Sequence, residues 1–88
     1  MNTFKLRITT PSEDCYDAEA YQLSVRVTDG DIAIMAGHIP FVSAVVGGSC
    51  RVYLPTGEMR NAECSGGLLT VSKENVRLLC SEFEWKDQ

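Results

Sequence analysis

The sequence predicts an all-β protein, an antiparallel β-sandwich or flattened barrel of about eight to ten short strands. Three observations lead there. Apolar and polar residues alternate with period 2 in successive runs, and turn signals interrupt those runs every ~6 to 12 residues. No segment has a strong helical period. There is also no repeat, low-complexity tract or internal linker, so residues 1–88 are expected to form a single domain. A chain of this length buries roughly 60 to 65% of its unfolded surface on folding, enough for a core without staples.

Phe4, Leu6 and Ile8 alternate with Lys5, Arg7 and Thr9, a half-buried first strand stopped by Thr10-Pro11 and the polar Ser12-Glu13-Asp14. Cys15 to Ala20 is less regular and holds either a separate strand or a bulge. Tyr21, Leu23, Val25 and Val27 then point inward, with Gln22, Ser24 and Arg26 outward. Asp29-Gly30 marks a type I′ hairpin turn, in which both central residues need positive φ. Ile32 and Ile34 share one face of the short buried strand that follows, and Ala33 and Met35 share the other. Gly37 and Pro40 end it at a second corner, where glycine takes a backbone conformation closed to other residues and proline pushes Ile39 toward an extended shape.

Phe41 to Val46 is a short, β-branched strand closed by Gly47-Gly48. Cys50, Val52 and Leu54 alternate with Arg51 and Tyr53 up to Pro55-Thr56-Gly57, where a hairpin folds back into Glu58 to Cys64. That returning strand has few hydrophobes, which suits an edge. Ser65-Gly66-Gly67 breaks it, through a tight bend or a close approach of two backbones, in preference to a ligand-binding loop. No helix follows that would complete a phosphate cradle. Leu69 and Val71 lie on the next strand and Val76, Leu78 and Cys80 on the last; Phe83 and Trp85 close one end of the sandwich or form a docking patch.

Composition removes several functions. A net charge of −4, a pI near 4.8 and scattered basic residues argue against nucleic acid or an anionic membrane surface as partner. No apolar run approaches the roughly 20 residues of a membrane span, and the opening MNTFKLRITTPSED has no signal-peptide pattern, so no direct membrane insertion is expected. Cys15, Cys50, Cys64 and Cys80 include no C-x-x-C pair; the expectation is buried free thiols that pack as small apolar residues. His38, the one histidine, has no acid or thiol beside it in sequence, so by itself it is a turn histidine bonded to nearby backbone rather than a catalytic or metal-binding one.

The stretch from Asp29 to Pro40, DGDIAIMAGHIP, resembles the D/E-G-x-x-x-I-x-x-G-H-x-P segment of the ε subunit of F-type ATP synthases, in its N-terminal β-sandwich domain. The opening FKLRITTP, the Ser65-Gly66-Gly67 triplet and the closing run Val76 to Cys80 extend the likeness, in order, over nearly the whole chain. One departure stands at Met35-Ala36, where many members place a proline before the glycine. It loosens the corner that carries His38.

The resemblance implies a non-catalytic subunit of the rotating central stalk, peripheral on the cytoplasmic, matrix or stromal side of an energy-transducing membrane. Its partners would be the γ subunit and the polar loops of the c-ring. It implies γ contacts at His38, Pro40 and Ser43, more weakly at Thr10, and c-ring contacts at Asp29, Gly30 and Asp31. No catalytic residue, metal, cofactor or small-molecule ligand is implied. Longer relatives add a helical hairpin that inhibits ATP hydrolysis; this sequence stops about where that hairpin begins, so coupling without such inhibition is expected. The alternatives are a free-standing β-sandwich interaction module and, more remotely, a small enzyme pairing His38 with a cysteine.

Overall fold

The computed structural model describes residues 2–86, all of whose regular structure is β. The strands are β1 (Phe4–Thr9), β2 (Asp14–Ala20), β3 (Gln22–Val27), β4 (Gly30–Met35), β5 (Phe41–Val45), β6 (Gly48–Tyr53), β7 (Met59–Cys64), β8 (Gly67–Val71), β9 (Asn75–Cys80) and β10 (Phe83–Trp85). They form two leaves, β10-β7-β6-β3-β4 and β5-β8-β9-β1-β2. β3 joins the leaves: its first residues pair with β6, and Val27, at its end, pairs with Val45 of β5. This is the β-sandwich, nearly closed into a barrel, that the alternation predicts.

The core follows from the same period. Leu6, Ile8, Leu69 and Leu78 of one leaf and Leu23, Val25, Ile34 and Val52 of the other are essentially fully buried. Each such side chain contributes roughly 1.5 to 3 kcal/mol by leaving water. No polar or charged residue among the described ones is buried. Tyr21 and Val27, expected inward with Leu23 and Val25, are only half-buried: Tyr21 lies in the bend just before β3 and Val27 is its last residue.

Several local expectations change in the structure. Among the described residues positive φ occurs only at glycines, so Asp29 does not share a type I′ turn with Gly30: the loop is Thr28-Asp29, Val27 pairs with Gly30, and Gly30 has the unusual φ of 125°. β4 is not a buried strand throughout; it pairs with β3, and Ile34 is its one fully buried side chain. β7 is not an edge, because Phe83–Trp85 forms a tenth strand on its far side. One pairing, β1 with β9, is parallel in an otherwise antiparallel sheet. Residues 14–20 resolve both alternatives at once: they form a separate strand, β2, and its pairing with β1 shifts register between Ile8 and Thr9.

Phe83 and Trp85 close the seam between the outer edges of the leaves. The Trp85 ring meets Phe83 edge-on at 4.9 Å and Tyr16 of β2 at 6.2 Å, with the Arg60 guanidinium 3.8 Å above it. Such contacts are worth about 0.5 to 1.5 kcal/mol each beyond the area they bury.

The Ser65-Gly66-Gly67 triplet is a close approach of backbones. A Cβ on Gly67 would run into the Leu79 carbonyl and lie 2.8 Å from the Cys80 Cα. Ser65 ties this break to the start of β10, its Oγ accepting the Glu82 N–H at 2.8 Å and meeting the Ser81 Oγ at 2.7 Å.

Candidate protein-contact surfaces

β4 has a turn at each end, and each carries one group of the residues singled out in the sequence. At its start is the hairpin tip. Asp29, Gly30 and Asp31 are exposed there, and Asp31 Oδ1 accepts a hydrogen bond from Arg26 Nε at 3.2 Å. Both side chains are more than half exposed, so the pair contributes at most a few tenths of a kcal/mol. Asp29 is left as a solvated carboxylate at the very tip.

At the end of β4 is the corner. The Met35 carbonyl accepts the His38 N–H at 3.2 Å, and Gly37 sits at φ 84°, which turns the chain. His38 Nδ1 lies 3.0 Å from the Ile39 carbonyl. A carbonyl only accepts, so Nδ1–H is the donor. The imidazole rests on the Phe41 ring at 5.2 Å, which holds His38 half-buried. Ile39, by contrast, is 78% exposed, and Pro40 beside it is exposed too.

The four residues implied as γ contacts do not fall together. Register places Thr9 level with Leu79, and Gly67 level with Val45; Phe41 is level with Val71, and Asn75 with Lys5. Thr10 therefore leaves one end of the β5-β8-β9-β1 leaf, and His38 and Pro40 enter at the other. Thr10 is also engaged locally: its Oγ1 accepts the N–H groups of Ser12 and Glu13 at 3.3 Å, which shapes the turn into β2. Ser43 belongs to the inward set of β5, its Oγ donating to the Ala44 carbonyl at 3.2 Å, while Val42 and Ala44 on either side point outward.

Sequence reading missed those outward apolar residues. Val42 is 62% exposed, Leu79 46% and Leu68 44%. The signal was there in the doublets Leu68-Leu69 and Leu78-Leu79, since period 2 forces one member of each to face away from the core.

The thiols offer no catalytic arrangement among the described residues. All four are free; Cys50, Cys64 and Cys80 are buried and Cys15 half-buried. Cys50 donates to the Cys64 sulfur, which together with burial pushes its own thiol far up, while accepting that bond lowers Cys64. Burial, reinforced by Cys64 and Cys15, pushes Cys80 up to about 11. The groups that shift these thiols do not include His38. No cluster of three or more His, Cys, Asp or Glu suited to a metal occurs among the described residues, and no helix there is long and apolar enough to cross a membrane.

Comparison with known proteins decides the family. Residues 3–86 match the model for the ATP synthase Delta/Epsilon chain, beta-sandwich domain. The chain belongs to this family. It is 35% identical to the ATP synthase epsilon chain of Ruminococcus albus, covering all of this chain and 66% of that one. It is 37% identical to the sodium ion specific epsilon chain of Propionigenium modestum, over 93% of this chain and 59% of the relative. It thus spans about two thirds of the length of the curated epsilon chains it matches. The fold agrees with a chain of the Euglena gracilis mitochondrial ATP synthase at a TM-score of 0.89, with 21% identity over 94% of this chain and 53% of that one. A chain from the central stalk and c-ring structure of the Tetrahymena thermophila enzyme superposes at 0.76, with 13% identity over 90% of this chain and 63% of that one.

Proposed function

We propose that this epsilon-type sandwich is a non-catalytic part of an ATP synthase central stalk, binding the γ subunit through the His38 corner and the c-ring through the Asp29–Asp31 tip. The observation that carries the reading is the make-up of the corner. An isoleucine 78% exposed and an exposed proline follow a histidine whose ring is braced on Phe41. Exposed apolar groups on a rigid corner gain from being covered by a partner, and a braced ring loses little freedom when it is.

The tip suits a different contact. Asp29 and Asp31 are exposed carboxylates, fit to pair with basic groups on polar loops of a ring and to set register more than affinity. With the two turns at opposite ends of β4, one rigid strand pair would separate the two partners. Tying the ring to the γ shaft needs that stiffness. The complex would lie peripherally on the membrane, on its cytoplasmic or equivalent side. The described residues hold no helix, and the role proposed for this sandwich is coupling rather than inhibition by an extended helical hairpin.

The test is calorimetric titration of the chain into the cognate γ subunit, wild type beside His38→Ala. One-to-one binding weakened about tenfold by the substitution supports the reading. Equal binding by both proteins moves the γ surface away from the corner, and no binding to folded γ removes the stalk assignment.

A further inference from the structure

Among the described strands β2, β10 and β4 each have a partner on one flank only, and they differ in how the open flank is defended. β2 carries the exposed Asp14, Asp17 and Glu19, and its register with β1 shifts between Ile8 and Thr9; β10 is three residues long and holds Glu84. Charges, a bulge and short length are the usual guards against pairing with another strand. β4 has none of them past its start: after Asp31 it runs Ile32-Ala33-Ile34-Met35, with no charge, no proline and no shift of register.

Which backbone groups lie on that open flank follows from the hydrogen-bond phase. Val27 and Gly30 close a two-residue loop as a bonded pair, and bonded and non-bonded pairs alternate along antiparallel strands. Val25 with Ile32 and Leu23 with Ile34 are then bonded, while Asp31, Ala33 and Met35 turn their N–H and C=O groups away from β3. Two hydrogen bonds agree with this phase. The Arg26 carbonyl accepts the Val46 N–H at 3.0 Å, on the far side of β3, and the Met35 carbonyl accepts the His38 N–H at 3.2 Å. Asp31, Ala33 and Met35 are exposed, so the remaining groups of the row face solvent.

We propose that β4 is a self-pairing edge, to which a second copy of this chain adds its own β4 antiparallel about a two-fold axis through Ala33. A residue on such an axis faces its own copy, and Ala33 has the smallest side chain of β4 after Gly30. The register then sets Asp31 level with the partner's Met35, so no like charges oppose each other. Ile32, half-buried in one copy, comes level with the partner's Ile34 and gains cover. The acidic tip of each copy comes alongside the Ala36–His38 turn of the other, which holds no carboxylate. A two-fold at Asp17 of β2 would instead oppose two carboxylates, which is why β4 and not β2 suits a second copy. Two strands of this length bury less than the roughly 1,000 Å² of a stable interface, so the dimer is weak, formed at millimolar and lost at micromolar protein. The pairing does not depend on the stalk reading; under that reading it is a form of the unassembled chain that hides both turns.

The experiment is sedimentation equilibrium across that concentration range on wild type and Ala33→Lys. Wild type is expected to rise from monomer toward dimer mass, and Ala33→Lys to stay monomeric because two like charges would meet on the axis. The substitution moves the net charge toward zero, which by itself favours association, so bulk charge does not explain a lost dimer. Ala33 is exposed, and the variant is expected to melt with wild type. Should it not fold, the wild-type amides decide: the N–H groups of Ala33 and Met35 should exchange more slowly as concentration rises, with those of β2 unchanged. A wild type that is monomeric throughout, or an Ala33→Lys chain that dimerises equally, overturns the inference. Monomeric wild type together with weaker γ binding by Ala33→Lys would give the edge to a γ segment instead.

Discussion

The tip at Thr28–Asp31 and the corner at Ala36–Pro40 each depend on one glycine of positive φ, yet they offer opposite chemistry to solvent. The tip presents carboxylates, one held by Arg26; the corner presents Ile39 and Pro40, with the only histidine folded back on Phe41. The tip is a short loop that returns the chain along the strand it has just left, so none of its side chains needs an anchor. The corner moves the chain from one leaf to the other, and its ring contact with the next strand is what sets the exposed residues in place. The polar side chains of the tip tolerate change better than the anchored ring of the corner.

The largest effect should come from the element both turns share. Ile34 is the buried side chain that holds β4 in place, and Ile34→Ala is expected to remove about 3 kcal/mol from the unfolding free energy in urea. A loss below about 1 kcal/mol would show that β4 is held by its pairing with β3 rather than by the core.

The two glycines separate the turns next. Neither would meet a neighbour on gaining a Cβ, so backbone strain alone sets the cost. Gly30, at φ 125°, lies far from the left-handed well open to other residues, whereas Gly37, at 84°, lies near it. Gly30→Ala should destabilise by about 2 kcal/mol and Gly37→Ala by about 1 kcal/mol. Equilibrium melts showing the reverse order would mean that the corner is the more strained turn.

Function should split the other way. His38→Ala is expected to weaken γ binding about tenfold, while the double change Asp29→Ala and Asp31→Ala leaves it within about twofold and lowers retention of the chain on isolated c-ring. Equal losses toward γ would erase the distinction between the turns. The smallest effect belongs to stability at the tip: Asp31→Ala should change the unfolding free energy by less than about 0.5 kcal/mol, because its partner Arg26 is as exposed as it is.

Much of this was legible in the residues themselves. Phe4 to Thr9 and Asn75 to Cys80 show their strands by alternation, and Gly37 shows its corner because glycine alone adopts that φ freely. The thiols were legible as well, since Cys50, Cys64 and Cys80 occupy the inward phase of their strands. The turn at Gly30 was misplaced by one residue because Asp-Gly fits either the centre or the end of a tight loop, and only the pairing of Val27 with Gly30 distinguishes them.

Local sequence determined which residues are extended, which face is apolar and where the chain must turn, because φ/ψ sterics and the two-residue period act over a few neighbours. It could not determine which strands meet. That Phe83–Trp85 covers β7, that β1 lies parallel to β9 with Arg7 beside Arg77, and that Thr10 and His38 leave opposite ends of one leaf are outcomes of pairing between distant segments. Backbone hydrogen bonds are the same for every strand, so partner choice is settled by how all ten strands bury one core together, and that is a property of the fold.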